Sequence, residues 1–146
     1  MRKIFIFILS ILLIISFSAC DKETKKNPRY QPMTKWESEN ISLYIADSNY
    51  GFIEIVQNNE IETLYFSFAL YNRLIIKPIK DYYPTENSCS TVIEKWKLKH
   101  MKKDSFTAEV ESTTYFEEGQ ELKFKKVADN IDESEIPYPP EQEDEQ

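Results

Sequence analysis

Histidine and cysteine, the side chains that most often serve acid–base catalysis and zinc binding, are scarce in this 146-residue chain. His100 is the one histidine, and Cys20 and Cys89 are the two cysteines. None of the spacings that mark Cys-His, His-His or HExxH sites occurs, so a zinc site or a catalytic triad lacks its partners. We therefore expect His100 to be structural, and we expect no metal or other cofactor.

Carboxylates are abundant, and three pairs lie close together in the sequence: Glu60/Glu62, Glu109/Glu111 and Glu117/Glu118. Acid–base catalysis needs two carboxylates whose pKa values are driven apart inside a cleft. The pair at 109 and 111 alternates with apolar residues, so it should face solvent and neutralise the lysine row Lys95, Lys97 and Lys99. Only two glycines are present, which argues against a phosphate-binding loop. These features predict a protein that is not an enzyme.

The longest apolar run stands at the N-terminus, directly behind Arg2 and Lys3. Residues 4–15 form this run, and their number fits the roughly 7–15-residue core of a secretory signal peptide. A membrane-spanning helix needs about 20 apolar residues, which this run does not reach. The sequence therefore predicts export from the cytoplasm, with an uncleaved N-terminal anchor helix as the alternative.

The four residues that end this leader are Phe17-Ser18-Ala19-Cys20. They resemble the lipobox of bacterial lipoproteins, in which an aliphatic residue and two small residues precede an invariant cysteine; Phe17 departs from the usual Leu. The resemblance implies cleavage before Cys20, a diacylglycerol on its sulfur and usually a further acyl chain such as palmitate on its new amine. Two acyl chains suffice for stable anchoring. The implied location is the cell membrane or the outer membrane, and the resemblance covers the leader alone.

The charge of the chain is unevenly distributed. The formal net charge is −7, but residues 128–146 carry eight acids and no Lys or Arg, which leaves +1 for the rest. A basic surface for nucleic acid is therefore not expected. If Cys20 carries lipid, Cys89 has no intrachain partner for a disulfide, and it is expected to be a small, partly buried loop residue or a reactive thiol.

Composition divides the chain into four parts. Residues 1–19 are the predicted signal peptide, and residues 20–35 are the lipidated cysteine followed by a polar, proline-containing tether. Residues 36–127 alternate short β-rich runs with turns, which predicts one all-β domain. Residues 128–146 are acidic and rich in proline, and we expect them to be a disordered tail.

The β domain is predicted to be an antiparallel meander of about seven strands, closed into a barrel or half-barrel. In its first long hairpin, a turn at Asn58-Asn59 would place Ile53 opposite Leu64. In the second, a loop at residues 102–104 would pair Met101 with Ser105 and His100 with Phe106, with His100 pointing inward. Its further pairs would be Leu98–Ala108, Trp96–Val110, Lys99–Thr107, Lys97–Glu109 and Lys95–Glu111. The overall shape is similar to lipocalin-like lipoproteins by analogy only, because no lipocalin motif is present.

Tyrosines outside the expected core are the best candidates for binding another molecule. They are Tyr65, Tyr71, Tyr82 and Tyr83, and tyrosine supplies contact area at low conformational cost. Together with the membrane anchor on Cys20, they suggest a cell-envelope lipoprotein that binds a protein partner. A carrier of a small apolar ligand inside the barrel and an immunity-type inhibitor of a toxin or enzyme are the alternatives.

Overall fold

The computed structural model describes residues 25–83, 91–112 and 114–140. Eight antiparallel strands, in sequence order, close into a barrel. They are β1 (Thr34–Ser38), β2 (Ile41–Ile45), β3 (Tyr50–Gln57), β4 (Glu60–Ala69), β5 (Arg73–Pro78), β6 (Glu94–Lys102), β7 (Ser105–Ser112) and β8 (Glu121–Asp129). Short 3₁₀ turns lie at Pro28–Tyr30, Ile79–Tyr82 and Glu133–Glu135. The predicted all-β meander barrel is confirmed, with eight strands where about seven are expected.

The additional strand is β1, which closes the barrel. Lys35 pairs with Tyr44 of β2 on one side and with Ala128 of β8 on the other. Trp36 is the only large apolar residue of β1, and it is fully buried. A five-residue strand with one apolar side chain gives almost no alternation to detect. The ordered domain therefore begins inside the segment that is predicted to be a tether.

The two ends of the barrel differ in how they are covered. We call the end where β1 begins the entry end; because the strands run up and down, it also holds the β2–β3, β4–β5 and β6–β7 turns. We call the opposite end the far end, and its connections include residues 79–93 and 113–120. At the entry end, residues before β1 reach across the mouth, where Arg29 donates a 2.8 Å hydrogen bond to the Ser48 carbonyl.

The β3–β4 hairpin has the predicted register. Ile53 lies opposite Leu64, and both are buried in the barrel. Asn58 and Asn59 form the turn with φ of 52° and 63°, the left-handed values that asparagine tolerates best after glycine. The match of apolar faces and the turn chemistry select the same register.

The β6–β7 hairpin follows its prediction only in the middle. Leu98 pairs with Ala108 and Trp96 with Val110, and the Lys99–Thr107 and Lys97–Glu109 pairs are also as predicted. At the tip the prediction is wrong, because Lys102 pairs with Ser105 across an irregularity in the ladder that contains His100. His100 has φ 49° and is exposed, so it does not point inward. A second irregularity places Lys95 opposite Ser112 instead of Glu111.

Aromatic rings fill the barrel from one tryptophan to the other. Trp36 packs edge-on against Phe106, with ring centroids 5.1 Å apart. Phe106 stacks on Phe124 at 4.9 Å, and Phe124 lies 6.1 Å from Trp96. Aliphatic side chains from all eight strands except β1 surround this column. The interior is therefore a packed core of side chains, one of the two outcomes expected for an eight-stranded barrel.

The segment after β8 corrects the prediction of a disordered tail from residue 128. We call residues 130–140 the C-terminal strap. Its Ile131 and Ile136 are buried against the outer surface of the barrel, and the Ile131 amide donates to the Met33 carbonyl at 3.0 Å. Asp132 caps the 3₁₀ turn by accepting from the Ser134 hydroxyl and amide, and these hydrogen bonds, the hydroxyl foremost, lower the Asp132 pKa. Two isoleucines within an acidic, proline-rich segment are enough to dock it.

Candidate functional site

A second apolar cluster lies outside the barrel, on the outward faces of β3 and β4. We call its five rings the outer aromatic cluster: Tyr50, Phe52, Tyr65, Tyr82 and Tyr138. Phe52 is at its centre and is fully buried, although it points away from the barrel interior. Its centroid lies 5.2 Å from that of Tyr82 and 5.1 Å from that of Tyr138. Edge-on and tilted ring pairs at such distances are the favoured aromatic geometry.

Three separate segments bring these rings together. Strand alternation turns Phe52 and Tyr65 outward from neighbouring strands, where they lie directly opposite each other. The 3₁₀ turn Ile79–Tyr82 follows β5 and folds back over β4, which carries Tyr82 to within 5.5 Å of Tyr65. The strap adds Tyr138 from the other side. The cluster is therefore a tertiary feature, built from residues that are distant in sequence.

The four tyrosines predicted to form a partner surface fall into two groups. Tyr65 and Tyr82 belong to the outer aromatic cluster, and Tyr83 packs edge-on against Tyr82 at 4.7 Å. All three remain partly exposed. Tyr71 lies apart, in the β4–β5 turn at the entry end, and is 80% exposed. The structure thus brings three of these tyrosines together and places the fourth apart from them.

The phenol groups of the cluster are hydrogen-bonding groups and not acid–base groups at neutral pH. Burial, together with a 3.4 Å hydrogen bond that Tyr82 donates to the Tyr50 hydroxyl, raises the pKa of Tyr82 to about 12. Burial also raises the pKa of Tyr50 and that of Tyr65. A phenol with a raised pKa is a weaker acid and stays protonated near neutrality, so it neither gives up nor takes a proton there. The cluster can offer apolar edges and hydroxyl groups to a partner.

Glu94 is a buried carboxylate that sequence reasoning missed. It is fully buried at the far end of the barrel. One oxygen accepts hydrogen bonds from the backbone amides of Thr114, Tyr115 and Phe116 at 3.0, 2.8 and 3.2 Å. The other oxygen accepts from the Trp96 indole at 2.8 Å. The sequence contains one signal for this burial: Glu94 lies two residues before Trp96, so both side chains are on the face of β6 that points into the barrel.

These four bonds give Glu94 a structural role. Three of them hold the β7–β8 loop over the far end, where Phe116 packs against Trp96 at 5.8 Å between ring centroids. Tyr115 of the same loop donates a 2.5 Å hydrogen bond to the exposed Glu62 of β4. Each oxygen of Glu94 is already occupied by donors, so the group is an acceptor that closes the barrel.

The other candidate residues for chemistry do not converge. His100 is exposed at the entry end. The carboxylate pair at 109 and 111 lies on an outward face, the pair at 117 and 118 lies in the β7–β8 loop, and the pair at 60 and 62 is exposed at the start of β4, at the far end. Glu109 forms an ion pair with Lys99, and Glu111 forms a two-point ion pair with Arg73. Within residues 25–83, 91–112 and 114–140, no cluster of three or more His, Cys, Asp or Glu side chains could hold a metal ion.

An open groove of about 550 Å³ lies at the far end, between β4 and the chain that follows β5. Its apolar lining residues are Ile61, Leu64, Pro78, Ile79 and Ile93, and Glu62, Thr63 and Lys80 complete it. Leu64 belongs to the barrel core, so the groove borders that core.

Several predictions fall on residues outside the described part of the chain. They include the signal peptide at 1–19, the lipidation of Cys20, the environment of Cys89 and the last six residues of the tail. No family model matches the chain, and no curated protein and no solved structure matches it. Among the described residues, no helix is both long and apolar enough to cross a membrane.

Proposed function

We propose that this chain is a membrane-anchored lipoprotein of the bacterial cell envelope, held by lipid on Cys20, whose β domain binds a protein partner without catalysing a reaction. The leader and its final Phe17-Ser18-Ala19-Cys20 support the anchor. The outer aromatic cluster, together with Tyr83, is the observation that supports the binding of a protein partner. It is preformed by ring packing, so little conformational freedom is lost when a partner covers its exposed edges.

The filled interior favours this function over that of an apolar-ligand carrier. The column from Trp36 to Trp96 occupies the axis of the barrel, and both tryptophans are fully buried. A ligand would have to displace packed aromatic rings, and protein interiors resist such changes of volume. The immunity-type inhibitor is a special case of partner binding, in which the partner is an enzyme or toxin.

The anchor is tested by mass spectrometry of the chain purified from the membranes of its host. We expect a chain that begins at Cys20 and carries acyl groups there, and we expect Cys20→Ser to abolish acylation and release the protein into the soluble fraction. A chain that retains residues 1–19, or a soluble form with an unmodified Cys20, would contradict the anchor.

The partner is tested by cross-linking in those membranes, followed by purification of the chain and identification of what is bound to it. We expect Tyr83→Ala to lose the partner, because this side chain packs edge-on against Tyr82 at the margin of the cluster and is partly exposed. Tyr30→Ala is the matched control, since it removes an exposed tyrosine that lies outside the outer aromatic cluster, in the 3₁₀ turn before β1. Equal recovery of the partner with both variants, or no specific partner for either, would contradict the proposal. Suppression of the partner's activity by the purified chain would identify the inhibitor alternative.

A further inference from the structure

The β4–β5 turn presents two large apolar side chains to solvent at the entry end. Leu70 is 75% exposed and Tyr71 is 80% exposed, the two highest values among the large hydrophobic residues described. Tyr71 also has φ 59°, a left-handed conformation that is unusual for a bulky residue. The β3–β4 turn meets a similar demand with two asparagines. Asn72 in the β4–β5 turn meets the demand in the same way, at φ 55°, but conformational preference does not explain Tyr71.

The N-terminal segment passes directly beside this turn. The Asn27 side-chain amide donates a 3.0 Å hydrogen bond to the Asn72 side chain, one residue after Tyr71. Two residues later the Arg29 guanidinium lies over the Phe68 ring, 5.8 Å from its centroid. The chain that connects residue 20 to the barrel thus arrives at the entry end.

The length of that connection limits where the barrel can sit. Cys20 precedes Asn27 by seven residues, and seven residues span at most about 25 Å. The ten residues of β4 alone extend about 33 Å from the far end to the entry end. A lipid on Cys20 would therefore hold the entry end closer to the membrane than the far end, and it would keep Leu70 and Tyr71 at a high effective concentration near the lipid surface.

The entry end carries charges of both signs, because the exposed acids Asp129, Asp132 and Glu133 lie at or after the end of β8, while exposed lysines lie in the β6–β7 hairpin. Lys102 and Lys103 are exposed at the tip of the β6–β7 hairpin, which belongs to the same end. Lys126 is shared between the neighbouring Asp104, at 3.5 Å, and Asp129, at 3.0 Å. The Asp47 carboxylate is occupied by the backbone amides of Asn49 and Tyr50. Apolar side chains flanked by lysines are the composition of protein surfaces that bind membrane interfaces.

From these observations we propose that the entry end of the barrel rests on the membrane, with Leu70 and Tyr71 in the lipid interface and Lys102 and Lys103 facing anionic head groups. The proposal rests on the lipid anchor at Cys20 and assigns the chain a fixed orientation on it. The outer aromatic cluster then lies on the side of the barrel, and the far end with its open groove faces away from the lipid.

The test places an indole at the turn of the full-length acylated chain, as Leu70→Trp, in vesicles of phosphatidylcholine and phosphatidylglycerol that contain brominated lipid. The matched control is Ile61→Trp, because Ile61 is 65% exposed at the opposite end of the same strand. Trp36 and Trp96 are fully buried and give the same background in both variants. We expect brominated lipid to quench the indole at position 70 strongly and the one at position 61 not at all.

A charge variant provides an independent measurement. Lys102→Glu/Lys103→Glu should reduce the quenching at position 70 on vesicles with phosphatidylglycerol, and the reduction should disappear on phosphatidylcholine alone. Equal quenching at positions 70 and 61 overturns the orientation. An emission shifted to the blue without quenching by brominated lipid also overturns it, because a second copy of the chain would then cover the turn.

Failure of the anchor gives a different result from failure of the orientation. If mass spectrometry finds no acyl group on Cys20 and the chain does not sediment with vesicles, both proposals are wrong. If the acylated chain sediments with vesicles while the indole at position 70 stays unquenched, only the orientation is wrong.

Discussion

Replacing Glu94 with glutamine tests whether one buried carboxylate closes the far end of the barrel. The substitution keeps the size of the side chain but exchanges one oxygen for an amino group. If the remaining oxygen keeps the amides of residues 114–116, the new amino group faces the indole N–H of Trp96, and two donors then meet where a donor and an acceptor met before.

The expected change in the free energy of unfolding follows from the four hydrogen bonds that the substitution alters. Leaving the buried indole of Trp96 without an acceptor costs about 1–3 kcal/mol. Replacing a charged acceptor by a neutral one weakens each of the three backbone bonds by roughly 1 kcal/mol. Relief from burying a charge at Glu94 offsets part of this loss, so we expect Glu94→Gln to lower the free energy of unfolding by about 2–4 kcal/mol.

The assay is equilibrium unfolding in guanidinium chloride, followed by circular dichroism and by tryptophan fluorescence. Glu62→Gln is the matched control, because Glu62 accepts a bond from Tyr115 of the same loop but is exposed. We expect the control to lose about 1 kcal/mol or less. A loss for Glu94→Gln that is no larger than that of the control would refute the role assigned to the buried carboxylate.

Three further predictions concern the two glycines, the alkaline stability and the strap. Gly51→Ala should lower the free energy of unfolding by about 3 kcal/mol or more, because its new Cβ would lie 2.1 Å from a backbone oxygen. Gly119→Ala should lower it by about 1 kcal/mol in the same assay, because Gly119 has space for a Cβ but a φ of +82° that alanine disfavours. Tyr82 and Tyr115 have pKa values raised to about 12, so their contribution to the free energy of unfolding is complete below pH 10 and is lost as the pH rises through 12. A titration should show phenolate absorbance from these two tyrosines and loss of the folded circular dichroism signal in the same pH range. Complete ionisation of all tyrosines near pH 10 in the folded protein would contradict this prediction. Ile136→Ala should destabilise the protein by about 2 kcal/mol and increase the binding of an apolar dye, whereas an unchanged unfolding midpoint would show that the strap is not docked in solution.

The predictable part of the fold is the part in which local signals agree with one another. In the β3–β4 hairpin, alternation pairs Ile53 with Leu64, and the two asparagines of the turn require the same register. In the β6–β7 hairpin, alternation predicts the middle pairs correctly, but nothing in the sequence near His100 marks the extra residue in the ladder. A bulge changes the register without changing composition, so alternation alone cannot locate it.

The candidate site was only partly predictable, because it depends on what covers the outside of the barrel. Period two identifies Phe52 and Tyr65 as outward residues, but it does not say whether an outward face meets water. Phe52 is buried there by Tyr82 and Tyr138. Tyr82 comes from a short 3₁₀ turn and Tyr138 from the strap, and neither residue belongs to a strand. The burial of Ile136 likewise depends on tertiary contacts, because the acidic, proline-rich composition of its segment predicts disorder.

The two ends of the barrel are closed in chemically different ways, and this difference bears on function. At the far end, the buried Glu94 carboxylate accepts three hydrogen bonds from backbone amides of a loop and a fourth from the Trp96 indole, and these bonds close this end. At the entry end, the segment before β1 is held by contacts at or near the surface, such as that between Asn27 and Asn72. Because buried, charge-assisted bonds contribute more than exposed ones, the far end should open less readily. The more weakly held closure therefore lies where the lipid anchor of the proposed function would join the domain, next to Tyr71.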